Sequence, residues 1–92
     1  MARVTGRVQG VGYRQSCRQV ARTLNLVGWV RNLDDGSVEM FAQGESDALD
    51  KLVDWLWSGP GPARVTGVES DTVALDLTLR DFFIHPDPSK TR

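Results

Sequence analysis

Gly10, Gly12 and Arg14 stand at alternate positions in the stretch Gly6-Arg7-Val8-Gln9-Gly10-Val11-Gly12-Tyr13-Arg14, and that spacing could hold an anion. Neither glycine carries a Cβ, so the backbone can turn through positive φ and aim several N–H groups at one point. A helix starting near Arg14 would add the N–H groups of its first turn and their partial positive charge. The Arg14 guanidinium would contribute a full charge in a planar fork that matches phosphate or carboxylate. The same residues also suit an ordinary strand-to-helix turn with Arg14 as a solvated charge, and a lone G-x-G does not separate the two readings.

Asn32 is the second side chain of interest, at the end of a strand-like stretch. An amide is no general base at neutral pH, but it can hydrogen-bond a water and hold it in line with an electrophile. A local hydrogen bond closing a turn is the alternative use of an asparagine there. One arginine at a backbone-rich loop plus one amide could hydrolyse only a bond whose leaving group needs no proton. A carboxylate, with a conjugate-acid pKa of about 4, meets that condition.

Other chemistries lack their residues. There is no G-x-x-x-x-G-K-[ST], and no third glycine completes a dinucleotide fingerprint after Gly10 and Gly12. His85, the single histidine, lies beside Pro86 near the end of the chain and reads as a spectator. Asp34 and Asp35 suit a turn, and no calcium-loop spacing follows them, so neither a metal nor a cofactor is expected. Cys17 is the only cysteine, which rules out an internal disulfide. It falls on the apolar face of a helix as a buried structural thiol; Arg14 and Arg18 nearby keep a nucleophile as the alternative.

Those candidates need elements to position them. Val4, Thr5 and Val8 make residues 2–8 a first strand. Cys17, Val20, Ala21 and Leu24 recur at helical spacing from Arg14 to about Leu24, with Arg18 and Arg22 on the solvated side and Asn25 near the helix end. Residues 27–32 form a second strand, Asp35-Gly36 a hairpin turn, and residues 37–43 a third strand antiparallel to the second. Ser46 is the expected N-cap of a second helix striped by Leu49, Leu52, Val53 and Leu56, with Trp55 and Trp57 at the margin of its core. Ser58-Gly59-Pro60-Gly61-Pro62 stops that helix, and residues 65–70 form a fourth strand. Residues 72–79 alternate Val73, Leu75, Leu77 and Leu79 as a strand would, without an assignable partner. Phe82-Phe83-Ile84 is a short strand or core plug, and residues 85–92 are expected to be a disordered tail after a domain of residues 1–84. The order β-α-β-β-α-β predicts an α+β, ferredoxin-like sandwich: a four-stranded antiparallel sheet with two helices on one face.

At 92 residues the chain has room for one modest core, burying roughly 60 to 65% of the surface of the unfolded chain. Its composition, 40% hydrophobic and 25% charged, is that of a globular protein. A net charge of −1 leaves no global positive field for a nucleic-acid backbone or an anionic membrane, so any anion site must be local. No apolar run has the length of a signal sequence or a membrane span. A cytoplasmic monomer without nucleic-acid or membrane partners is expected.

Two stretches, residues 6–14 and Gly28-Trp29-Val30-Arg31-Asn32-Leu33-Asp34-Asp35-Gly36-Ser37-Val38-Glu39-Met40-Phe41-Ala42-Gln43-Gly44, resemble the two signature motifs of the acylphosphatase family. With Gly59-Pro60 and Ala63-Arg64-Val65, the similarity extends over nearly all of residues 3–84. The resemblance implies a small cytosolic hydrolase of carboxyl–phosphate bonds, free of metal, that takes an acyl phosphate and releases inorganic phosphate. It implies that Arg14 binds the phosphate with the loop amides of Gln9, Gly10, Val11, Gly12 and Tyr13, and that Asn32 positions the attacking water. Tyr13 departs from the phenylalanine usual in the family, the first strand is shorter, residues 71–79 are longer and more apolar, and the chain continues past Ile84. The rival readings are a carbamoyl-phosphate domain of a hydrogenase-maturation protein, a non-catalytic phosphate-binding module and an RNA-binding ferredoxin-like module. An RNA-binding module would require an aromatic RNP pattern that is missing.

Overall fold

The computed structural model describes residues 1–86. Its elements are β1 (Ala2–Arg7), α1 (Tyr13–Thr23), β2 (Val27–Asn32), β3 (Val38–Gln43), α2 (Ser46–Ser58), β4 (Arg64–Ser70) and β5 (Phe82–Ile84). The sheet runs β4-β1-β3-β2-β5. β1 pairs antiparallel with both β3 and β4, and β2 antiparallel with β3. β1 and β2 therefore point the same way and finish at the same end of the sheet, with β3 between them.

The fold is the expected ferredoxin-like α+β sandwich, but the four-stranded antiparallel sheet is corrected to a five-stranded mixed one. β5 joins parallel to β2, with Gly28 opposite Phe82 and Val30 opposite Ile84. The outer edge of β2 would otherwise expose its backbone; instead the Gly28 N–H donates to the Asp81 carbonyl and the His85 N–H donates to the Val30 carbonyl. Phe82 is fully buried, so the segment is both a strand and a core plug.

Alternation in the strands sets the core. Val4 of β1, Val30 of β2 and Val38 of β3 are fully buried and meet Cys17 and Ala21 of α1 and Leu52 and Leu56 of α2 in one cluster. Burying a valine of this kind contributes about 1.5–3 kcal/mol relative to leaving it in water. The opposite parity of β2 puts Trp29 and Arg31 on the other face. There the Trp29 ring lies 6.4 Å from that of Phe41, stacks on His85 at 5.2 Å and carries the Arg31 guanidinium at 5.3 Å.

α1 ends in a left-handed turn at Asn25 (φ 59°), whose N–H donates to the Arg22 carbonyl while the Leu26 N–H reaches the Ala21 carbonyl. α2 begins one residue earlier than expected. Glu45, not Ser46, is the cap residue, and no side-chain hydrogen bond closes the turn.

The alternating apolar residues after β4 do not form a strand. Residues 71–81 instead cross the end of the sheet from its β4 edge to its β5 edge, a span of about 19 Å at four inter-strand spacings. Leu75 and Leu77 are 70% and 77% exposed, so their alternation marks no buried face. The segment is held by Gln43, whose Nε2 donates to the Asp76 carbonyl and whose Oε1 accepts from the Asp76 N–H, at 2.8 and 2.9 Å. Of the expected tail, His85 and Pro86 are described, with His85 held as above, and residues 87–92 lie outside the described residues.

Candidate active site

The loop after β1 is shaped by its glycines. Gly10 and Gly12 have φ of 74° and 80°, and Gly12 caps α1 in the left-handed conformation. A Cβ at either position would meet nothing within 4 Å, so the requirement for glycine there is conformational, not one of space. The first helical hydrogen bond runs from the Ser16 N–H to the Gly12 carbonyl at 3.1 Å. The N–H groups ahead of Ser16 thus have no intrahelical acceptor, and no acidic side chain occupies the first turn of α1 to compete for an anion. Arg14 is half-buried in that turn.

Tyr13, the first residue of α1, is the anchor of this helix end. It is 1% exposed, its ring lies 5.2 Å from that of Trp55, and its hydroxyl donates to the Leu56 carbonyl at 2.7 Å. The natural intrahelical donor to that carbonyl would be residue 60, but Pro60 has no N–H. The Tyr13 hydroxyl therefore satisfies an acceptor that the end of α2 leaves open. Burial keeps its pKa above the ordinary phenol value, with the Cys17 side chain adding to the shift.

Asn32 closes β2 and has the same parity as Gly28 and Val30, so its side chain belongs to the helix-facing side of the sheet, where it is 7% exposed. It pairs in register with Val38, which in turn pairs with Val4. After it, the hairpin turn is tightly made. The Leu33 N–H donates to the Ser37 carbonyl and the Gly36 N–H to the Leu33 carbonyl, at 2.8 and 3.2 Å. Asp35 Oδ1 accepts from the Ser37 N–H and hydroxyl. The Ser37 hydroxyl and then its N–H hold the Asp35 carboxyl below its usual pKa, helped by Arg3 at 3.7 Å.

One side chain spans the loop and the hairpin. Gln9 Nε2 donates to the Leu33 carbonyl at 2.7 Å and to the Ser37 carbonyl at 2.9 Å. The loop after β1 and the strand end carrying Asn32 are thus tied together at one end of the sheet. Motif reading treats Gln9 as a backbone donor only. An acceptor 24 or 28 residues away leaves no local signal in the sequence.

The remaining candidates separate from this end. Cys17 is fully buried, its Sγ 3.9 Å from Met40 Sδ, and burial pushes its thiol up to about 12, so it is a packing residue and not a nucleophile. Among the described residues no group of three His, Cys, Asp or Glu side chains is gathered as a metal site would require. No helix there is long and apolar enough to cross a membrane. A cavity of about 280 Å³ lies at the opposite end of the sheet, between the inner face of α2 and residues 70–75, and contains neither Asn32 nor any of residues 9–14.

A family model described as Acylphosphatase matches residues 1–84. An acylphosphatase of Acaryochloris marina is 53% identical over 72 residues, which is 78% of this chain and 77% of that protein. An acylphosphatase from Coxiella burnetii superposes with a TM-score of 0.83 at 44% identity, over 91% of this chain and 87% of that one. One from Bacillus subtilis superposes with a TM-score of 0.86 at 36% identity, over 91% and 93%.

Proposed function

The chain belongs to the acylphosphatase family, and from that premise we propose how its residues hydrolyse the carboxyl–phosphate bond of acyl phosphates. The phosphoryl group sits on the backbone amides of Gln9, Gly10, Val11, Gly12 and Tyr13, paired with the Arg14 guanidinium. Both groups act on the equatorial oxygens, where transition-state charge collects. The Asn32 side chain holds a water in line with the bond to be broken. Water attacks phosphorus, the phosphorus–oxygen bond opens, and the carboxylate leaves with the electron pair. Both water protons end on inorganic phosphate. No acid is needed for a leaving group whose conjugate acid has a pKa of about 4. Asn32 contributes position, not basicity.

The observation that best supports this reading is the Gln9 bridge, which ties the loop next to Arg14 to the residues following Asn32. We further propose that residues 1–84 are the whole catalytic unit, acting as a cytoplasmic monomer without metal or a nucleic-acid partner. The −1 net charge and the single buried cysteine are consistent with this.

The test is hydrolysis of benzoyl phosphate with EDTA present and inorganic phosphate titrated in. Turnover should persist under chelation, and phosphate should compete with substrate because it carries the group that the loop holds. Activity lost to EDTA and restored by a divalent ion would refute metal independence. Inhibition by phosphate that is not competitive would refute the cradle.

A further inference from the structure

The two parts of the proposed machinery stand on strands that are not neighbours. β3 separates β1 from β2, which puts their axes about 10 Å apart. The ladder between β1 and β3 registers only Ala2 to Val4, and beyond Val4 the strand continues along β4 alone, through a register shift between Thr5 and Gly6. The phosphate loop begins at Gln9, five residues past Val4, the last residue of β1 that pairs with β3. The sheet ladder therefore does not set the spacing between the loop and Asn32 at the level of the loop itself.

Gln9 supplies a link at that level. Its amide nitrogen has two protons, and both are committed to carbonyls of the hairpin: that of Leu33, adjacent to Asn32, and that of Ser37, which also closes the turn by accepting from the Leu33 N–H. Both bonds are short and partly buried. We propose that the Gln9 side chain is a positioning residue, holding the Asn32-bearing strand end at a fixed distance from the phosphate loop so that the water lies in line with the phosphorus. This rests on the roles given above to Asn32 and the loop. A displacement of about 1 Å between attacking water and electrophile is enough to cost on the order of a hundredfold in rate, whereas a phosphate held by backbone amides and Arg14 does not depend on the hairpin.

The test is a double-mutant cycle with benzoyl phosphate as substrate and inorganic phosphate as the binding probe. Gln9→Met keeps the length of the side chain without its donors; Gln9→Ala is a second variant should the thioether pack poorly. Either should lower kcat by about tenfold or more while phosphate Ki stays within about threefold of the parent. In an Asn32→Ala background the same change should lower kcat less than twofold, because the group it positions is gone. A Gln9→Met enzyme with parental kcat, beside an impaired Asn32→Ala, overturns the inference alone. So does a Ki that rises in step with the loss of kcat, or an equal loss in both backgrounds. An Asn32→Ala enzyme with undiminished kcat overturns the water-positioning reading itself, and that is visible in the single variant.

Discussion

Each end of the sheet is braced by a glutamine amide, and the two braces hold different things. At the end where β1 and β2 finish, Gln9 is half-buried and gives both of its N–H groups to carbonyls of another element. At the other end, Gln43 exchanges one donor and one acceptor with the backbone of Asp76, as a strand neighbour would, on an exposed segment. Water can replace the Gln43 bonds at small cost. It could not reproduce the fixed spacing that Gln9 is proposed to set between the two halves of the proposed site. The apolar end also holds the cavity of about 280 Å³, while the polar end has backbone amides, an arginine and an asparagine. Here the size of a hollow is a poor guide to the chemistry, because a phosphate is recognised by directed N–H groups and not by apolar volume.

The sharpest way to break this comparison is at the polar end. Arg14→Ala should weaken phosphate Ki and lower kcat together, and Arg14→Lys should recover little because the fork is lost. Asn32→Ala should lower kcat by about two orders of magnitude with phosphate Ki within a few-fold of the parent. If Asn32→Ala loses phosphate affinity as badly as Arg14→Ala, the division of labour between them is wrong.

A smaller effect is expected where the polar end leans on α2. Tyr13→Phe leaves the Leu56 carbonyl without its hydroxyl partner. The cost should be about 1–3 kcal/mol. For a domain of this size each kcal/mol lowers Tm by roughly 4–8 °C. A Tyr13→Phe protein melting with the parent would show that the bond contributes nothing net.

The smallest effect belongs to the apolar end. Gln43→Ala should lower Tm by roughly 4–8 °C at most, as expected for up to about 1 kcal/mol of partly solvated hydrogen bonding, and should leave kcat within twofold. Steady-state kinetics beside a melting curve decide it. A kcat loss like that expected for Gln9→Met would erase the distinction between the two braces.

What the chain settles by itself is local. The spacing of Cys17, Val20, Ala21 and Leu24, the left-handed turns at Gly10 and Gly12, the hairpin with Gly36 (φ 94°) and the stop at Gly59-Pro60 all follow from forces acting within a few residues. They were enough to give the element order, the positions of Arg14 and Asn32, and the family resemblance. Alternation at residues 72–79 left the pairing open, since a side-chain pattern describes a strand only where an unpaired edge lies alongside. That segment runs instead from one edge of the sheet to the other. Tertiary structure decided the rest: β5 against β2, His85 on Trp29, the Tyr13 hydroxyl on a carbonyl 43 residues away, and Gln9 on the hairpin 24 and 28 residues away. Those partners exist because strand order brings distant carbonyls within reach, and strand order depends on which faces and edges can be buried together, which no window of neighbouring residues contains.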